Sequence, residues 1–271
     1  MKTHKIPPFA ALACVMPLSL SVAHAQDQAI NVGVGLDYST GDYGSGTDTR
    51  ILSIPVTGRY AIGPWSFEVT LPYLRVSGPG DVVPGLGQVG SVKGHKKGTA
   101  GAPSTSVRTT ESGMGDLVTG ATHSIPTGSP DGLNLDVNGK IKFGTADEDK
   151  GLGTGQNDYS IQFDASKAYT PQLSVYVGVG YAILGSSDAT PLDNVFFGTV
   201  GVRYKIDDRL SAGLGLNLRE AAASFTRQQA DLRASVSYRL DTNLALQGYV
   251  LKGFADGSPN RGIGVHVVWN F

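Results

Sequence analysis

Charged side chains recur at every second position inside short apolar runs of this sequence, and that spacing is its main chemical resource. Asp136, Lys140 and Lys142 alternate with Leu135, Val137, Ile141 and Phe143. Asp158 and Asp164 flank the run of Tyr159, Ile161 and Phe163 on the opposite parity, and Asp231 and Arg233 alternate with Leu232 and Ala234. A period of two sends successive side chains to opposite faces of a strand, so each run has one charged face and one apolar face. Glu68, Asp116, Asp136, Lys140, Lys142, Asp158 and Asp164 share the charged face in the first half of the chain. Arg203, Arg219, Arg227, Asp231, Arg233 and Arg239 share it in the second half, and His266 joins them in the last run. If these faces line a lumen, one wall is mixed and mostly acidic and the other mostly basic. Such a transverse field orients dipolar solutes and tunes selectivity.

Counting outward from turn centres makes the expectation specific. A turn around Ser129 pairs Asp116 with Lys142, and a connection centred near Lys150 pairs Lys142 with Asp158. The three then form a charge-assisted network on adjacent strands. The same register sets Asp136 opposite Asp164, which calls for a cation or for protonation of one carboxylate. Arg203 and Arg233 are expected to flank Gly213, whose missing side chain lets both guanidinium groups reach one carboxylate or phosphate.

Other chemistries find less support. There is no H-x-x-E-H or G-x-S-x-G pattern. His123 and Ser124 are neighbours, so a strand points them to opposite faces. His266 has no evident serine or orienting acid beside it. The expectation is a protein that is not an enzyme and carries neither cofactor nor metal. Its weaker alternatives are an outer-membrane hydrolase and a structural barrel with a plugged lumen.

The elements that must position these charges are twelve alternating segments. They run roughly over 29–39, 50–60, 65–76, 115–124, 133–143, 158–168, 173–184, 195–206, 210–218, 227–240, 243–252 and 261–271. In the last, Ile263, Val265, Val267, Trp269 and Phe271 share the apolar face. Similar lengths of about ten residues, an even count and a terminal aromatic are the signature of a transmembrane barrel. The fold class expected is all-β, a 12-stranded antiparallel up-and-down transmembrane β-barrel. Phe271 resembles the signal read by the outer-membrane assembly machinery, an expected partner beside the lipid bilayer and a small-molecule solute. Short links such as Ile62-Gly63-Pro64 are expected to face the periplasm, and long ones, above all 78–112, the outside. That long loop carries Lys93, His95, Lys96, Lys97 and Arg108, and it is expected either to enter the mouth or to remain exposed.

Residues 1–25 read as a secretory signal peptide: Lys2 and Lys5, an apolar stretch, then Ala23-His24-Ala25. The barrel domain is then 26–271, in the outer membrane of a Gram-negative cell. Cys14 is the single cysteine of the chain and lies in the leader. Without the leader 20 basic residues face 23 acidic ones, a balance that gives no footing for nucleic acid. The 37 glycines and a charged fraction of 17% fit an all-β chain rich in turns.

Three motifs add a resemblance. Gly113-Met114-Gly115-Asp116-Leu117, Lys140-Ile141-Lys142-Phe143-Gly144-Thr145 and Gly151-Leu152-Gly153-Thr154-Gly155-Gln156-Asn157-Asp158-Tyr159 resemble the outer-membrane family of transporters of the meta-pathway of phenol degradation. Phe143 and Gly144 depart from that family's Lys-x-Pro-Thr-Gly form. The resemblance spans about residues 113–167. It implies an outer-membrane channel for small organic molecules, aromatic ones among them.

Overall fold

Alternation becomes strand pairing around a closed circuit in the computed structural model, which describes residues 28–43, 46–80, 82–88, 108–128, 132–188, 190–224 and 226–271. The expected leader and most of the long loop, including Lys93, His95, Lys96 and Lys97, lie outside the described residues. The strands are β1 (Gln28–Gly41), β2 (Thr49–Ile62), β3 (Trp65–Gly78), β4 (Val82–Val83), β5 (Gly87–Gln88), β6 (Thr109–Met114), β7 (Leu117–Ile125) and β8 (Leu133–Phe143). They continue with β9 (Asp158–Ala168), β10 (Leu173–Ile183), β11 (Val195–Lys205), β12 (Leu210–Arg219), β13 (Gln229–Arg239), β14 (Leu244–Gly253) and β15 (Arg261–Asn270).

β4 and β5 form a separate small hairpin. β6 and β7 both pair with β3 and make one interrupted stave. The remaining strands supply eleven staves, so the wall is an antiparallel barrel of twelve. It closes where β1 pairs with β15, from Asn31 opposite Asn270 to Thr40 opposite Arg261. The terminal Phe271 N–H donates to the Ile30 carbonyl at 2.8 Å. Closure matters because an open edge in lipid would leave a row of unsatisfied backbone groups.

The interruption of the fourth stave has a local cause. Pro55 and Pro72 face each other across β2 and β3, and neither has an N–H to give the ladder. The β1–β2 pairing accordingly skips Gly35 and Leu36. Beside Pro72 the stave breaks at Gly115 and Asp116, with Gly115 N–H donating to the Pro72 carbonyl at 2.8 Å.

The outer face carries the apolar residues. Ile30, Val34, Phe67, Ile161, Val177, Val200, Val250 and Val265 are all exposed. Aromatic side chains mark the two ends of this band. Trp65, Tyr169, Tyr204, Tyr238 and Trp269 ring the short-turn end; Tyr38, Tyr159, Phe196 and Phe254 ring the long-loop end. Such girdles sit at the two membrane–water interfaces. The buried apolar residues form two clusters at the long-loop end, one around Ile51, Leu74, Val76 and Leu152 and one around Ala182, Leu184, Val195 and Phe197.

Candidate functional site

The inner face is where the charges converge. Lys142 on β8 is the centre of the first group. Its Nζ lies 3.0 Å from Asp116 Oδ2 and 3.0 Å from Asp158 Oδ2. Lys142 sits directly opposite Asp158, as counting from the connection requires. Its direct partner on β7 is Val118, not Asp116. Asp116 reaches it diagonally, because the 125–133 connection is centred one residue later than Ser129.

Both carboxylates also hold loops. Asp116 Oδ1 accepts the Ala146 N–H at 2.9 Å, and Asp158 Oδ1 accepts the Gly185 N–H at 2.9 Å. A Cβ at Gly153 would meet Asp116 Oδ2 at 2.9 Å, so the glycine lets the 145–157 connection close over the carboxylate. Leu152, 2% exposed, packs beside it. The three motifs of the resemblance thus meet in one clamp that fixes the loop.

Asp136 and Asp164 are direct cross-strand partners. Hydrogen-bond donors surround them, and the Lys140 ammonium is close enough to act on Asp164. Asp136 accepts from Ser124 Oγ at 2.6 Å. Asp164 accepts from Gln162 Nε2 at 2.6 Å and from Asn138 Nδ2 at 2.5 Å. No group of three or more potential metal ligands occurs among the described residues.

The basic wall is built differently. Arg203 on β11 lies opposite Gly213 on β12, as expected. Arg233 on β13 lies opposite Gly215; Gly213 faces Ser235. The two arginines are therefore diagonal across a floor of two glycines. The Arg233 guanidinium stacks on the Tyr249 ring, 4.1 Å from its centroid. The Tyr176 hydroxyl lies over Gly201 and Gly215, filling the space a Cβ at either would take. The Tyr249 hydroxyl donates to Asp37 Oδ1 at 2.7 Å, and His266 Nε2 is 2.8 Å from the same oxygen. His266 thus has an orienting acid after all, supplied by β1 across the closing seam; its sequence separation of 229 residues hid it.

Arg219 does not face open lumen. It is completely buried. Its Nη1 donates to the Gly85 carbonyl at 2.6 Å and its Nη2 to the Leu86 carbonyl at 2.9 Å. Gln229 Nε2 adds a donor to Leu86 O at 3.3 Å. The segment Val82–Leu86 is a strap across the long-loop end. Val82 packs with Tyr43, Ile51, Leu74 and Val76, whereas Val83 and Leu86 pack with Ala182, Val195 and Phe197 on the far wall.

The other expected residues are placed as follows. Glu68 on β3 is opposite Arg59 of β2. Lys140 is opposite Gly120 and Ser160. Asp231 accepts from Asn217 Nδ2 at 2.8 Å. Arg239 ends β13. Arg227 is displaced: it precedes β13 and is exposed in the 219–229 connection, off the wall. Counting missed Asp37, Arg59, Tyr176 and Tyr249. Asp37 and Arg59 share the inward parity of their strands and could have been read from it. The two tyrosines occupy inward positions that an apolar-or-charged division passes over.

Among the described residues outside the spanning strands, two groups are shifted by their surroundings. Burial pushes the Tyr43 phenol up to about 12. A hydrogen bond from Lys205, Nζ to Oδ1 at 2.6 Å, holds the Asp208 carboxyl below its ordinary value.

Comparison with known proteins agrees with this geometry. Residues 56–271 match the family described as "Putative MetA-pathway of phenol degradation". No curated protein matches the chain. An outer membrane channel from Pseudomonas putida F1 superposes with a TM-score of 0.66 at 16% identity, over 92% of this chain and 97% of that one. The NanC porin superposes with 0.57 at 10% identity, over 88% and 98%. The KdgM porin gives 0.51 at 12%, over 89% and 99%. The fold is that of outer-membrane channels, and with the lipid-facing belt it places the chain in that membrane.

Proposed function

We propose that this chain, which belongs to the family described as "Putative MetA-pathway of phenol degradation", is an outer-membrane channel for small organic solutes, aromatic ones among them. Passage is passive, along the lumen lined by the inward charges. The single observation that carries this reading is the polar inner face that runs from Asp37 and His266 through Arg233 and Arg203 to Asp164 and Asn138. Twelve staves enclose less space than the 16–18 of wide porins, which suits single small molecules. The family's description supports a phenol-like solute.

The supporting expectations fit this reading. Residues 1–25 direct export, Phe271 is read by the assembly machinery, and the short-turn end faces the periplasm. An enzymatic role has little to stand on. His266 is engaged by Asp37 and lies 6.2 Å from the Tyr249 ring, with no serine among its hydrogen-bond partners in the described residues. His123 stacks on Trp65 at 4.4 Å.

One observation favours a second reading, a barrel plugged at rest. Arg219 ties the Val82–Leu86 strap across the long-loop end. Flux of phenol and of ions into liposomes carrying the purified protein separates the two. Flux above that of empty liposomes supports the channel. Flux that appears solely after residues 83–106 are deleted supports the plug.

A further inference from the structure

Arg203, Arg233, Tyr176 and Tyr249 come together on β10 to β14 in a way that barrel stability does not require. Two guanidinium groups stand diagonally across Gly213 and Gly215. The two glycines make room for side-chain hydroxyls from nearby strands: Ser235 Oγ lies close to where a Cβ at Gly213 would be, and the Tyr176 hydroxyl where one at Gly215 would be. Arg233 makes no ion pair among the described residues, and its Nε has no hydrogen-bond partner there. Its guanidinium carbon lies over the Tyr249 ring, 4.1 Å from the centroid, a contact that consumes none of its N–H donors. The nearby carboxylates are engaged: Asp231 by Asn217, and Asp37 by Tyr249 and His266. A cation held over a ring, with no hydrogen-bond partner among the described residues, is arranged to receive an acceptor from the lumen.

We propose that these residues form a binding station for small aromatic carboxylates, a proposal that rests on the channel reading and gives it a solute class. The carboxylate lies between the Arg203 and Arg233 forks, which match its planar pair of oxygens. The Tyr176 hydroxyl, lying on the glycine floor, donates a further hydrogen bond. The ring of the solute extends from the two forks into the lumen, beside the Tyr176 and Tyr249 rings. The station sits on the lumen side of the strap, since Gly215 precedes Arg219 by four residues on β12. A solute leaving the strap meets the guanidinium pair next.

Calorimetric titration of the whole protein in detergent tests this without needing transport. The probes are benzoate, benzyl alcohol and benzylammonium. Benzoate should bind about tenfold or more tightly than either comparator. R203Q/R233Q should abolish that preference. Tyr176→Phe should weaken benzoate severalfold and leave benzyl alcohol unchanged. Arg233→Lys keeps the charge but loses the fork, and should weaken benzoate about tenfold; with Tyr176→Phe it carries the test if the double variant does not fold. Equal binding of benzoate and benzyl alcohol by the wild type overturns the proposal. So does benzoate affinity unchanged in Arg233→Lys and Tyr176→Phe. Liposomes that pass none of the three probes while benzoate still binds overturn the channel reading alone.

Discussion

Replacing Arg219 by Met should release the strap. The side chain is completely buried and makes two charge-assisted hydrogen bonds, to the carbonyls of Gly85 and Leu86 at 2.6 and 2.9 Å. Bonds of this type contribute roughly 1.5–3 kcal/mol each. Desolvation of a buried guanidinium opposes them, so the net contribution to docking is about 2–3 kcal/mol. Met fills much of the volume, which keeps the contacts of Val83 and Leu86 with Ala182, Val195 and Phe197. The ratio of docked to undocked strap then falls on the order of 30- to 150-fold. A strap undocked about 1% of the time would become undocked for about a quarter of it or more. Cys14 is the single cysteine and lies in the expected leader, so a cysteine at Val83 reports cleanly. Its labelling by a water-soluble thiol reagent should accelerate by that factor in R219M, with longer open events in single-channel records. Equal labelling rates and equal currents with and without Arg219 would show that the strap is not latched by this residue.

Lys142→Met leaves Asp116 and Asp158 side by side without their cation. Because Lys142 keeps some exposure, the expected loss is about 2–4 kcal/mol in urea unfolding from micelles, with part of it restored in D116N/K142M. Gly201→Ala puts a Cβ 2.5 Å from the Leu214 carbonyl oxygen and against the Tyr176 hydroxyl. It should cost about 1–3 kcal/mol in the same assay. For Tyr43 the neutral phenol is the favoured form in the folded chain. Its contribution is complete below pH 10 and is lost as pH rises through about 12. Near-ultraviolet titration of wild type against Tyr43→Phe should show the missing transition near 12; a missing transition near 10 would contradict its burial.

Much of the barrel was legible because parity is robust. Twelve staves lie where alternation put them, except that the fourth opens with β6 (Thr109–Met114), part of which falls inside the expected loop 78–112; a register error of two residues keeps every side chain on its face. Partner identity is more fragile. A one-residue error in a turn centre becomes a two-residue slip of register. That slip moved Asp116 from direct to diagonal partner of Lys142, and set Arg233 opposite Gly215 in place of Gly213. Where the turn centre was right, Lys142 met Asp158 and Asp136 met Asp164. The strap was illegible for another reason. Arg219 lies 134 residues from Gly85, and docking of a loop inside a lumen leaves no period in the sequence. Asp37 and His266 meet across the closing seam, a contact that becomes readable once β1 is paired with β15.

Counting charges suggested an acidic wall facing a basic one, but the field met by a solute depends on which charges remain available. Asp116 and Asp158 are tied to Lys142 and to loop N–H groups. Asp136 and Asp164 accept from Ser124, Gln162 and Asn138, which spread their charge into fixed dipoles. On the opposite wall Arg219 is spent on the strap, whereas Arg233 rests on a π face that leaves its donors unspent. Anions that are already solvated by the wall attract a passing cation weakly, because a new ligand must compete with bonds in place. A cation with open donors attracts an anion without that cost. The lumen is therefore asymmetric in availability more than in number. A near-neutral lining of this kind favours aromatic anions over aromatic cations at the β11–β13 wall, and the ratio of benzoate to benzylammonium flux should fall toward one in R203Q/R233Q while benzyl alcohol flux stays constant.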